Sequence, residues 1–364
     1  MKKILFIASE FPPLPGGIGT HALHLSSGLT DVGYDVTVFT NSRDISSTEK
    51  QFDDSLSFPV HRTPRTYPLI TYLSRVTTLL SLVKKNRPTV LLASGKFSLW
   101  LGGLLSFFYP SISKIAIIHG TELLAGGICS RWLTKQSLKR FDRYVAVSHY
   151  TKLQLNKLLP NCAITVITNG VVLPEMNKQS IKKENTLKLV TVGNVSPRKG
   201  QHNVIKALPL LLTLYPELHY SMIGFPTIKS ELEKLAKDLH VNHHISFEGV
   251  LSEEEKCTAV ASSALFLMLS EHLPNGDFEG FGIAVLEANA LGIPAIGAVN
   301  SGIADAIVDK KTGRLVDPHD PEAIKRAIKK ILADYENYST QARAWASANK
   351  WPQVIAKYKK VLDL

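Results

Sequence analysis

Short runs of aliphatic and β-branched residues alternate with longer amphipathic stretches along most of the chain. Helical periodicity marks the longer stretches, for example Thr20–Val32 and Arg131–Arg140. In the first half, the short runs predict strands at Ile4–Ser9, Val36–Thr40, Val90–Ala93, Ile115–Ile118, Tyr144–Val147 and Ile164–Ile167. Continuously apolar strands separated by amphipathic helices indicate a parallel sheet that is covered by helices on both faces.

The same alternation begins again after a polar segment at residues 173–186, which we interpret as a linker. Further strands are predicted at Leu187–Val192, Leu218–Ile223, Ile245–Phe247, Leu265–Leu269, Pro294–Ile296 and Gly313–Val316. The pattern therefore predicts an α/β fold of two Rossmann-like, doubly wound domains, residues 1–172 and 187–350, facing a central cleft. The basic amphipathic segment 351–364 predicts a final helix that packs back on the first domain.

The length of 364 residues, 45% of them hydrophobic and 20% charged, suits two globular domains and excludes global disorder. Three widely spaced cysteines, Cys129, Cys162 and Cys257, predict reduced thiols instead of a disulfide framework or a zinc site. The N-terminus is basic and then apolar, but Glu10 and nearby prolines end the apolar run early. We interpret this run as a buried strand and not as a signal peptide, and expect a cytoplasmic protein.

The positive charge of the chain is concentrated in its first half. Residues 1–172 contain 19 Lys or Arg against 9 Asp or Glu, whereas residues 173–364 contain 23 against 22. A basic domain suggests an anionic partner, such as a phospholipid surface or a phosphorylated lipid.

The segment Tyr72–Pro88 carries apolar residues at helical spacing. Its C-terminal end is basic, with Lys84, Lys85 and Arg87. We favour a core-facing helix with a solvated basic end. The alternative is that this helix makes peripheral contact with an anionic membrane.

Two glutamates, Glu279 and Glu287, stand eight positions apart around the start of an apolar helix. From Phe281 to Glu287 such a helix rises roughly 9 Å, which matches the length of a nucleoside diphosphate. The backbone amides of Phe281, Gly282 and Ile283 can therefore face the phosphates, while Glu287 reaches the ribose and Glu279 the sugar hydroxyls. The alternative is a helix with an acidic cap that carries Glu287 as an exposed charge.

This segment resembles the signature of glycosyltransferase family 4, in which E-x7-E precedes a Gly-x-Pro strand start, here Gly292-Ile293-Pro294. The resemblance extends over nearly the whole chain. It implies a GT-B fold and retaining transfer from a nucleotide-sugar donor, with Glu287 on the ribose and Glu279 near the donor sugar. The preceding segment 274–278 is similar to a loop of the phosphatidylinositol mannosyltransferases, which points to GDP-mannose.

A second motif, residues 193–200, follows a strand and opens a helix. Its cations Arg198 and Lys199 can neutralise the leaving diphosphate, whose developing charge is the main electrostatic demand of glycosyl transfer. The resemblance implies that Lys199 is the family lysine. Asn194 stands where the family often has an arginine, so Arg198 is expected to supply the second cation. The alternative is a surface basic pair, although the helix dipole disfavours cations at a helix start.

Three further loops are assigned through the same resemblance. Gly16 and Gly17 follow the first strand and let the backbone approach the donor diphosphate. His119 ends the strand Ile115–Ile118 and is expected beside the donor sugar, although a lone histidine is more often structural. The base is expected beside Gly224, Val250 and Leu251.

No Asp-x-Asp pair occurs in the sequence. Metal-dependent glycosyltransferases use such a pair to hold a divalent cation, so neither a metal nor another cofactor is expected. Catalysis is instead predicted to depend on Glu279, Lys199, His119 and Arg198.

The sequence thus predicts a retaining hexosyltransferase that takes GDP-mannose or a UDP-sugar and acts in glycolipid or surface-polysaccharide biosynthesis. The basic first domain is expected to bind a glycan or lipid-linked acceptor, with transient contact to the inner face of an anionic membrane and without a nucleic-acid partner. Two alternatives remain. One is a non-catalytic subunit with the GT-B fold, and the other is a GT-B epimerase or phosphorylase.

Overall fold

The computed structural model describes residues 2–43, 48–64, 67–124, 126–174 and 186–363. The chain divides into two compact units. The first contains Met1–Asn169 together with Trp351–Leu364, and the second contains Gly170–Lys350. The C-terminal segment therefore belongs to the unit that the N-terminal half of the chain builds.

The first unit is a parallel sheet with helices on both faces. Its elements are β1 (Lys3–Ala8), α1 (Gly17–Asp31), β2 (Asp35–Asn41), α2 (Thr48–Asp54), β3 (Val60–Thr63), α3 (Pro68–Asn86), β4 (Val90–Ser94), α4 (Lys96–Phe108), β5 (Ser113–Ile118), α5 (Thr121–Leu124), α6 (Ile128–Leu138), β6 (Arg143–Ala146), α7 (His149–Leu158), β7 (Ile164–Val166) and, at the end of the chain, α14 (Trp351–Asp363). Among the described residues, seven strands lie in the order β3-β2-β1-β4-β5-β6-β7. The direction of winding reverses between β1 and β4, as in doubly wound nucleotide-binding folds.

Successive residues of β1 pack on opposite faces of this sheet, as strand geometry requires. Ile4 and Phe6 lie in a core with α1 and α14, to which Tyr358 contributes a fully buried ring. Leu5 and Ile7 lie in the core on the other face, with α3 and α4. The first unit is therefore completed by a helix that the sequence encodes after the second unit.

The second unit repeats the plan with a smaller sheet. Its elements are β8 (Lys188–Val192), α8 (Gln201–Leu212), β9 (His219–Ile223), α9 (Lys229–Asp238), β10 (Ile245–Gly249), α10 (Glu253–Ala261), β11 (Leu265–Met268), α11 (Ile283–Ala290), β12 (Ala295–Ala298), β13 (Gly313–Val316), α12 (Pro321–Ala333) and α13 (Tyr335–Ala348). Six parallel strands of the described chain lie in the order β10-β9-β8-β11-β12-β13. Its largest core packs α8 and α12 against one face, around Tyr220, Leu208 and Ile328.

The predicted fold class of two parallel α/β sheets is confirmed, and each predicted strand is present within two residues of its expected bounds. The sequence pattern missed β3, a short edge strand that is largely half-buried and follows Pro59, so that it lacks a continuous apolar run. Helix α1 begins three residues before the predicted start, because glycines form its first turn. Residues 175–185 of the predicted linker lie outside the described residues.

Helix α3 has the core-facing stripe that we favoured. Leu79, Leu82 and Val83 are buried against the sheet, while Lys84 and Lys85 are exposed at the C-terminal end. Leu73 does not belong to this stripe, because its side chain is exposed. In the described part of the chain, no helix has both the length and the hydropathy needed to cross a bilayer.

Candidate active site

Arg198 and Lys199 lie on a 3-10 turn, Pro197–Lys199, in the loop that follows the carboxyl end of β8. The turn ends at Gly200, which has φ +74°. A Cβ at this position would stand 1.8 Å from the carbonyl oxygen of Leu269, so only glycine allows this approach. Gly200 therefore brings the two cations against the segment that follows β11.

Both cations bind the Glu279 carboxylate. Lys199 Nζ lies 2.7 Å from Glu279 Oε2, and the Arg198 guanidinium donates to the same oxygen. Arg198 also pairs with Asp277 at 3.3 Å. The side chains of Arg198, Lys199 and Glu279 are 21%, 13% and 13% exposed, so these charges meet where solvent screening is weak.

Burial and charge compete at Glu279. Burial raises the pKa of this carboxyl, but Arg198 and Lys199 outweigh burial and hold the pKa at about 2. Burial lowers the pKa of Lys199, and Glu279 compensates only in part because Arg198 shares its carboxylate and repels the ammonium. The Glu279 charge raises the pKa of Arg198. The array is therefore a carboxylate held in its ionised form by two cations.

Glu279 opens the loop that leads into α11. Gly282 has φ +85° and caps this helix, and a Cβ on Gly302 would stand 2.1 Å from the carbonyl oxygen of Gly280. These close approaches fix the direction in which α11 starts. The helix begins at Ile283, two residues later than Phe281, and no side chain caps its N-terminus.

Glu287 lies one turn into α11 and is partly exposed. Its carboxylate is 3.4 Å from Lys256 Nζ on α10, and its charge also acts on Lys199. Glu287 is therefore neither a buried structural residue nor an isolated surface charge.

Glycine turns line the carboxyl ends of β8, β9 and β10. A Cβ on Gly224 would stand 2.4 Å from the carbonyl oxygen of Gly193, and the Gly224 amide donates to the Gly249 carbonyl at 2.7 Å. Asn194 follows Gly193 with an exposed side chain. Val250 is exposed and Leu251 half-buried, directly after β10. The predicted residues Asn194, Gly224, Val250 and Leu251 thus share one edge of the second sheet.

Gly16, Gly17 and His119 belong to the first unit. Gly16 caps α1, and nothing lies within 4 Å of a Cβ built on Gly17, which leaves open space at this helix start. One turn later, the His21 ring lies 4.9 Å from the His119 ring. His21 Nε2 is 3.1 Å from the Tyr358 hydroxyl of α14.

His119 is buried at the carboxyl end of β5. Its Nε2 lies 2.9 Å from the Ser94 hydroxyl, and burial lowers its pKa to about 4, so the imidazole is neutral at pH 7. The backbone amides of His119 and Gly120 donate to the Glu122 carboxylate. Burial raises the pKa of Glu122 to about 7, and these amides counteract it. A neutral imidazole at this position can donate a hydrogen bond but cannot serve as a cationic acid at neutral pH.

Sequence reasoning did not assign roles to Asp277, Lys256 or His21. Asp277 binds Arg198, Lys256 binds Glu287, and His21 contacts His119. The first two pairs link residues 79 and 31 positions apart, so no local spacing reveals them. The one sequence feature that could have pointed to Asp277 is its position two residues before Glu279. Among the described residues, no group of His, Cys, Asp or Glu side chains is arranged as a metal site.

Two family models match adjoining parts of the chain. The model described as Glycosyltransferase Family 4 matches residues 15–174, and the model described as Glycosyl transferases group 1 matches residues 174–350. Together these matches extend through both units, and they confirm the resemblance expected from the glutamate motif.

Curated relatives align along nearly the whole chain. The GDP-mannose-dependent alpha-(1-6)-phosphatidylinositol monomannoside mannosyltransferase of Mycolicibacterium smegmatis is 27% identical, over 99% of this chain and 98% of that protein. A glycogen synthase of Mycobacterium tuberculosis is also 27% identical, over 94% of this chain and 89% of that protein. Relatives named for different activities therefore match at the same identity.

Solved structures share the fold. Anabaena HepE in complex with UDP and glucose has a TM-score of 0.82 at 18% identity, with 100% of both chains covered. Sucrose-phosphate synthase from Thermosynechococcus elongatus has a TM-score of 0.79 at 18% identity, covering 100% of this chain and 98% of that chain. The chain belongs to glycosyltransferase family 4 and is a retaining hexosyltransferase with the GT-B fold that uses a nucleotide-sugar donor.

Proposed function

We propose that this enzyme transfers a hexose from GDP-mannose or a UDP-sugar to a lipid-linked or glycan acceptor, in glycolipid or surface-polysaccharide biosynthesis. The second unit binds the nucleotide, and the basic first unit binds the acceptor. The observation that carries the proposal is the array of Arg198, Lys199 and Glu279, in which two weakly screened cations share one carboxylate.

The array suits a diphosphate leaving group. When the sugar leaves, negative charge grows on the diphosphate, and preorganised cations stabilise that charge without having to reorient. Arg198 can form two parallel hydrogen bonds to a phosphate, whereas Lys199 acts as a point charge. Glu279 and Asp277 hold Arg198 in position. The proposed role of Glu279 is thus to orient both cations as well as to accept hydrogen bonds from the donor sugar.

Helix α11 and Glu287 are proposed to hold the rest of the nucleotide. The uncapped amides at Gly282 and Ile283 provide donors for a phosphate, and Glu287 accepts hydrogen bonds from the ribose hydroxyls. Lys256 keeps the Glu287 carboxylate in place at 3.4 Å. The base is assigned to Gly224, Val250 and Leu251. For Gly16, Gly17 and His119, the assignment to the donor rests on the family resemblance.

Retention is proposed to follow from attack on the same face. The bond between the anomeric carbon and the phosphate oxygen breaks, and its electron pair stays on the diphosphate. The acceptor hydroxyl oxygen bonds to the anomeric carbon on that face, and its proton passes to the departing phosphate oxygen. Glu279 is engaged by two cations and has a pKa of about 2, which makes it a poor covalent nucleophile.

GDP-mannose is favoured over UDP-sugars by two observations. The Mycolicibacterium relative is named for GDP-mannose, as is a Corynebacterium glutamicum relative that is 26% identical. The segment 274–278 resembles the corresponding loop of such enzymes, and in this chain it supplies the Asp277 partner of Arg198. The HepE structures contain UDP or UDP-glucose, so a UDP-sugar is the second candidate.

The test begins with thermal unfolding in the presence of GDP, UDP or ADP, because a ligand that binds only the folded state raises Tm. Turnover of GDP-mannose, UDP-glucose and ADP-glucose is then measured with and without EDTA. We expect a shift with GDP or UDP, and release of the same nucleotide from its sugar in either buffer. Activity that is lost in EDTA and restored by manganese would contradict metal independence, and the absence of any nucleotide shift would contradict the nucleotide site.

Calorimetric titration of a Glu287→Ala variant tests the ribose contact. We expect nucleoside diphosphate affinity to fall by about 2–3 kcal/mol, because a charge-assisted contact is lost. Glu231→Ala, which removes an exposed glutamate on α9, is the matched control and should bind as the wild type does. If the wild type and both variants bind the nucleoside diphosphate with equal affinity, the ribose does not contact Glu287.

A further inference from the structure

Large apolar side chains are exposed at one edge of the first unit. Ile128 is 87% exposed and Trp132 62% exposed in the first turns of α6. Tyr67, Ile70 and Leu73 are exposed around the first turns of α3. We call these five residues the apical patch. Single exposed apolar residues are ordinary on protein surfaces, whereas groups of them mark interaction sites.

A row of aromatic side chains links the three helices at this edge. The Tyr72 ring on α3 lies 5.7 Å from Phe97, and Phe97 lies 5.3 Å from Trp100. The Trp100 indole then donates to the Thr134 hydroxyl on α6 at 3.0 Å. Helices α3, α4 and α6 therefore pack side by side at this edge of the unit, and the first turns of α3 and α6 carry the exposed residues.

Cations are placed among these rings. Arg75 is itself buried, with its guanidinium over Phe97 at 5.2 Å, and the half-buried Lys96 has its Nζ 5.9 Å from the Trp100 ring centre. The unit as a whole has 22 Lys or Arg against 10 Asp or Glu, whereas the second unit has 20 against 21. Aromatic rings beside cations, on a strongly basic body, match the chemistry of the interface of an anionic bilayer.

The patch lies at the carboxyl edge of the sheet. Helix α3 follows the carboxyl end of β3, and α6 follows β5 through the short helix α5. His119 comes directly after β5 at the same edge. The C-terminal end of α3, with Lys84 and Lys85, lies at the opposite edge, and the apolar stripe preceding it is core. We therefore assign the membrane contact of α3 to its N-terminal end and not to its basic C-terminal end.

We propose that the apical patch docks the enzyme on the surface of an anionic lipid bilayer. Ile128, Trp132 and Ile70 enter the interfacial region, and the basic unit is attracted to the lipid head groups. The edge that carries His119 then faces the bilayer, where the head group of a lipid-linked acceptor lies. This last step rests on the proposed function, whereas binding to the bilayer does not.

The test is co-sedimentation of the full chain with vesicles. Equimolar phosphatidylglycerol and phosphatidylcholine are compared with phosphatidylcholine alone, at low and at physiological salt. We expect binding to the anionic vesicles that weakens with salt, because charge interactions with a surface decay over about 8 Å at physiological ionic strength. Absence of binding at low salt would overturn the proposal.

Variants locate the contact. Ile128→Ser with Trp132→Ser should weaken vesicle binding about tenfold or more, since both side chains lose apolar area that the bilayer covers. The matched control is Phe108→Ser, because Phe108 is 60% exposed but lies at the C-terminal end of α4, about 17 Å along the helix from Phe97. It should change binding less than twofold. Equal losses in both proteins would mean that the patch is not the docking surface.

Two measurements separate this proposal from its rivals. Nucleoside diphosphate affinity should be unchanged in the double variant, because the substituted residues lie outside the second unit. Vesicle binding without turnover of any sugar donor would refute the proposed function and leave docking intact. Sedimentation analysis without lipid provides the other comparison. A dimer that dissociates in the double variant, together with no vesicle binding, would show that the patch binds a second copy of the chain.

Discussion

At the scale of single residues, this enzyme places three charged side chains where solvent screens them only weakly. Glu279, Arg198 and Lys199 are mostly buried and satisfy one another. Removing the Glu279 carboxylate from this array would leave both cations without its compensation, which usually costs more than the intact array contributes. The same arrangement keeps the cations in position before any substrate charge develops.

Lys199→Ala should lower turnover about a hundredfold or more, because one preorganised charge that stabilises the leaving diphosphate is lost. Stability should change little, because Arg198 still binds the Glu279 carboxylate. The matched control is Lys234→Ala, which removes an exposed lysine from α9 of the same unit. Donor turnover and Tm measured on both variants check the prediction. Near-normal turnover by Lys199→Ala would move the diphosphate site elsewhere.

The free energy of unfolding in acid should depend on the ionisation of Glu279. Its pKa of about 2 lies below the ordinary value of 4.5, so the folded state binds fewer protons than the unfolded state between these values. The carboxylate therefore stabilises the fold above pH 4.5, and this contribution is lost as the pH falls towards 2. From pH 5 to pH 3, the wild type should lose about 2 kcal/mol of unfolding free energy more than Glu279→Gln does.

Urea unfolding of both proteins at the two pH values measures this difference. The Gln variant cannot titrate at this position, so it subtracts the acid effects of every other carboxyl group. Parallel losses in the two proteins would show that the Glu279 carboxyl has an ordinary pKa, and that the cations do not hold it ionised.

At the scale of elements, glycines decide how closely the loops at the ends of the strands approach one another. Gly200, Gly224, Gly282 and Gly302 all lie where a Cβ would stand 2.4 Å or less from another atom. Three of these four contacts are with backbone carbonyl oxygens, which cannot move aside as a flexible side chain can. The candidate nucleotide residues are thus positioned by backbone packing.

Gly200→Ala should destabilise the second unit and reduce turnover. A Cβ there meets the Leu269 carbonyl at 1.8 Å and also requires a left-handed backbone, at φ +74°. The matched control is Gly249→Ala, at φ +70° with nothing within 4 Å of its Cβ. We expect the control to cost about 1 kcal/mol from backbone strain alone, and Gly200→Ala to cost at least 2 kcal/mol more.

Denaturant unfolding of the two glycine variants provides the comparison. Because both have a similar backbone strain, the difference between them isolates the collision with the Leu269 carbonyl, just after β11. If the two variants lose the same stability, the turn that carries Arg198 and Lys199 does not depend on this close approach.

At the scale of the whole molecule, the two units differ in charge and are not continuous in sequence. The first unit carries all of the excess positive charge, because the second unit has 20 Lys or Arg against 21 Asp or Glu. It is also completed by α14, whose Trp351, Val354, Ile355 and Tyr358 are buried in its core. The stability of the N-terminal sheet therefore depends on the last residues of the chain.

Tyr358→Ala should loosen the first unit selectively. Removing a fully buried aromatic side chain costs about 3–5 kcal/mol, and the contact with His21 is lost as well. Hydrogen exchange should rise in peptides from β1 and α1 but not in peptides from β8 and β11. Tyr358→Phe keeps the ring and loses only the hydroxyl, so it should cost about 1 kcal/mol. A uniform rise throughout both units would mean that α14 does not support the first unit alone.

The sequence by itself determined the fold class, because apolar strands and amphipathic helices differ in period and require no knowledge of distant contacts. It also determined the glutamates and the cationic pair as candidates, since each motif is local and stands at a junction of strand and helix. It missed β3, because this strand lies at the sheet edge, where pairing with β2 holds it although it lacks the apolar run expected of a strand.

Only the tertiary structure decided which charges meet. Arg198 and Glu279 are 81 positions apart in the chain, and their pairing follows from the adjacency of β8 and β11 in the sheet. The structure likewise showed that most of the apolar stripe of α3 is core, while the exposed residues lie at its start. Spacing along a helix reveals which residues share a face, but burial depends on what packs against that face. Pairing and burial are long-range properties, and for this reason a local pattern cannot supply them.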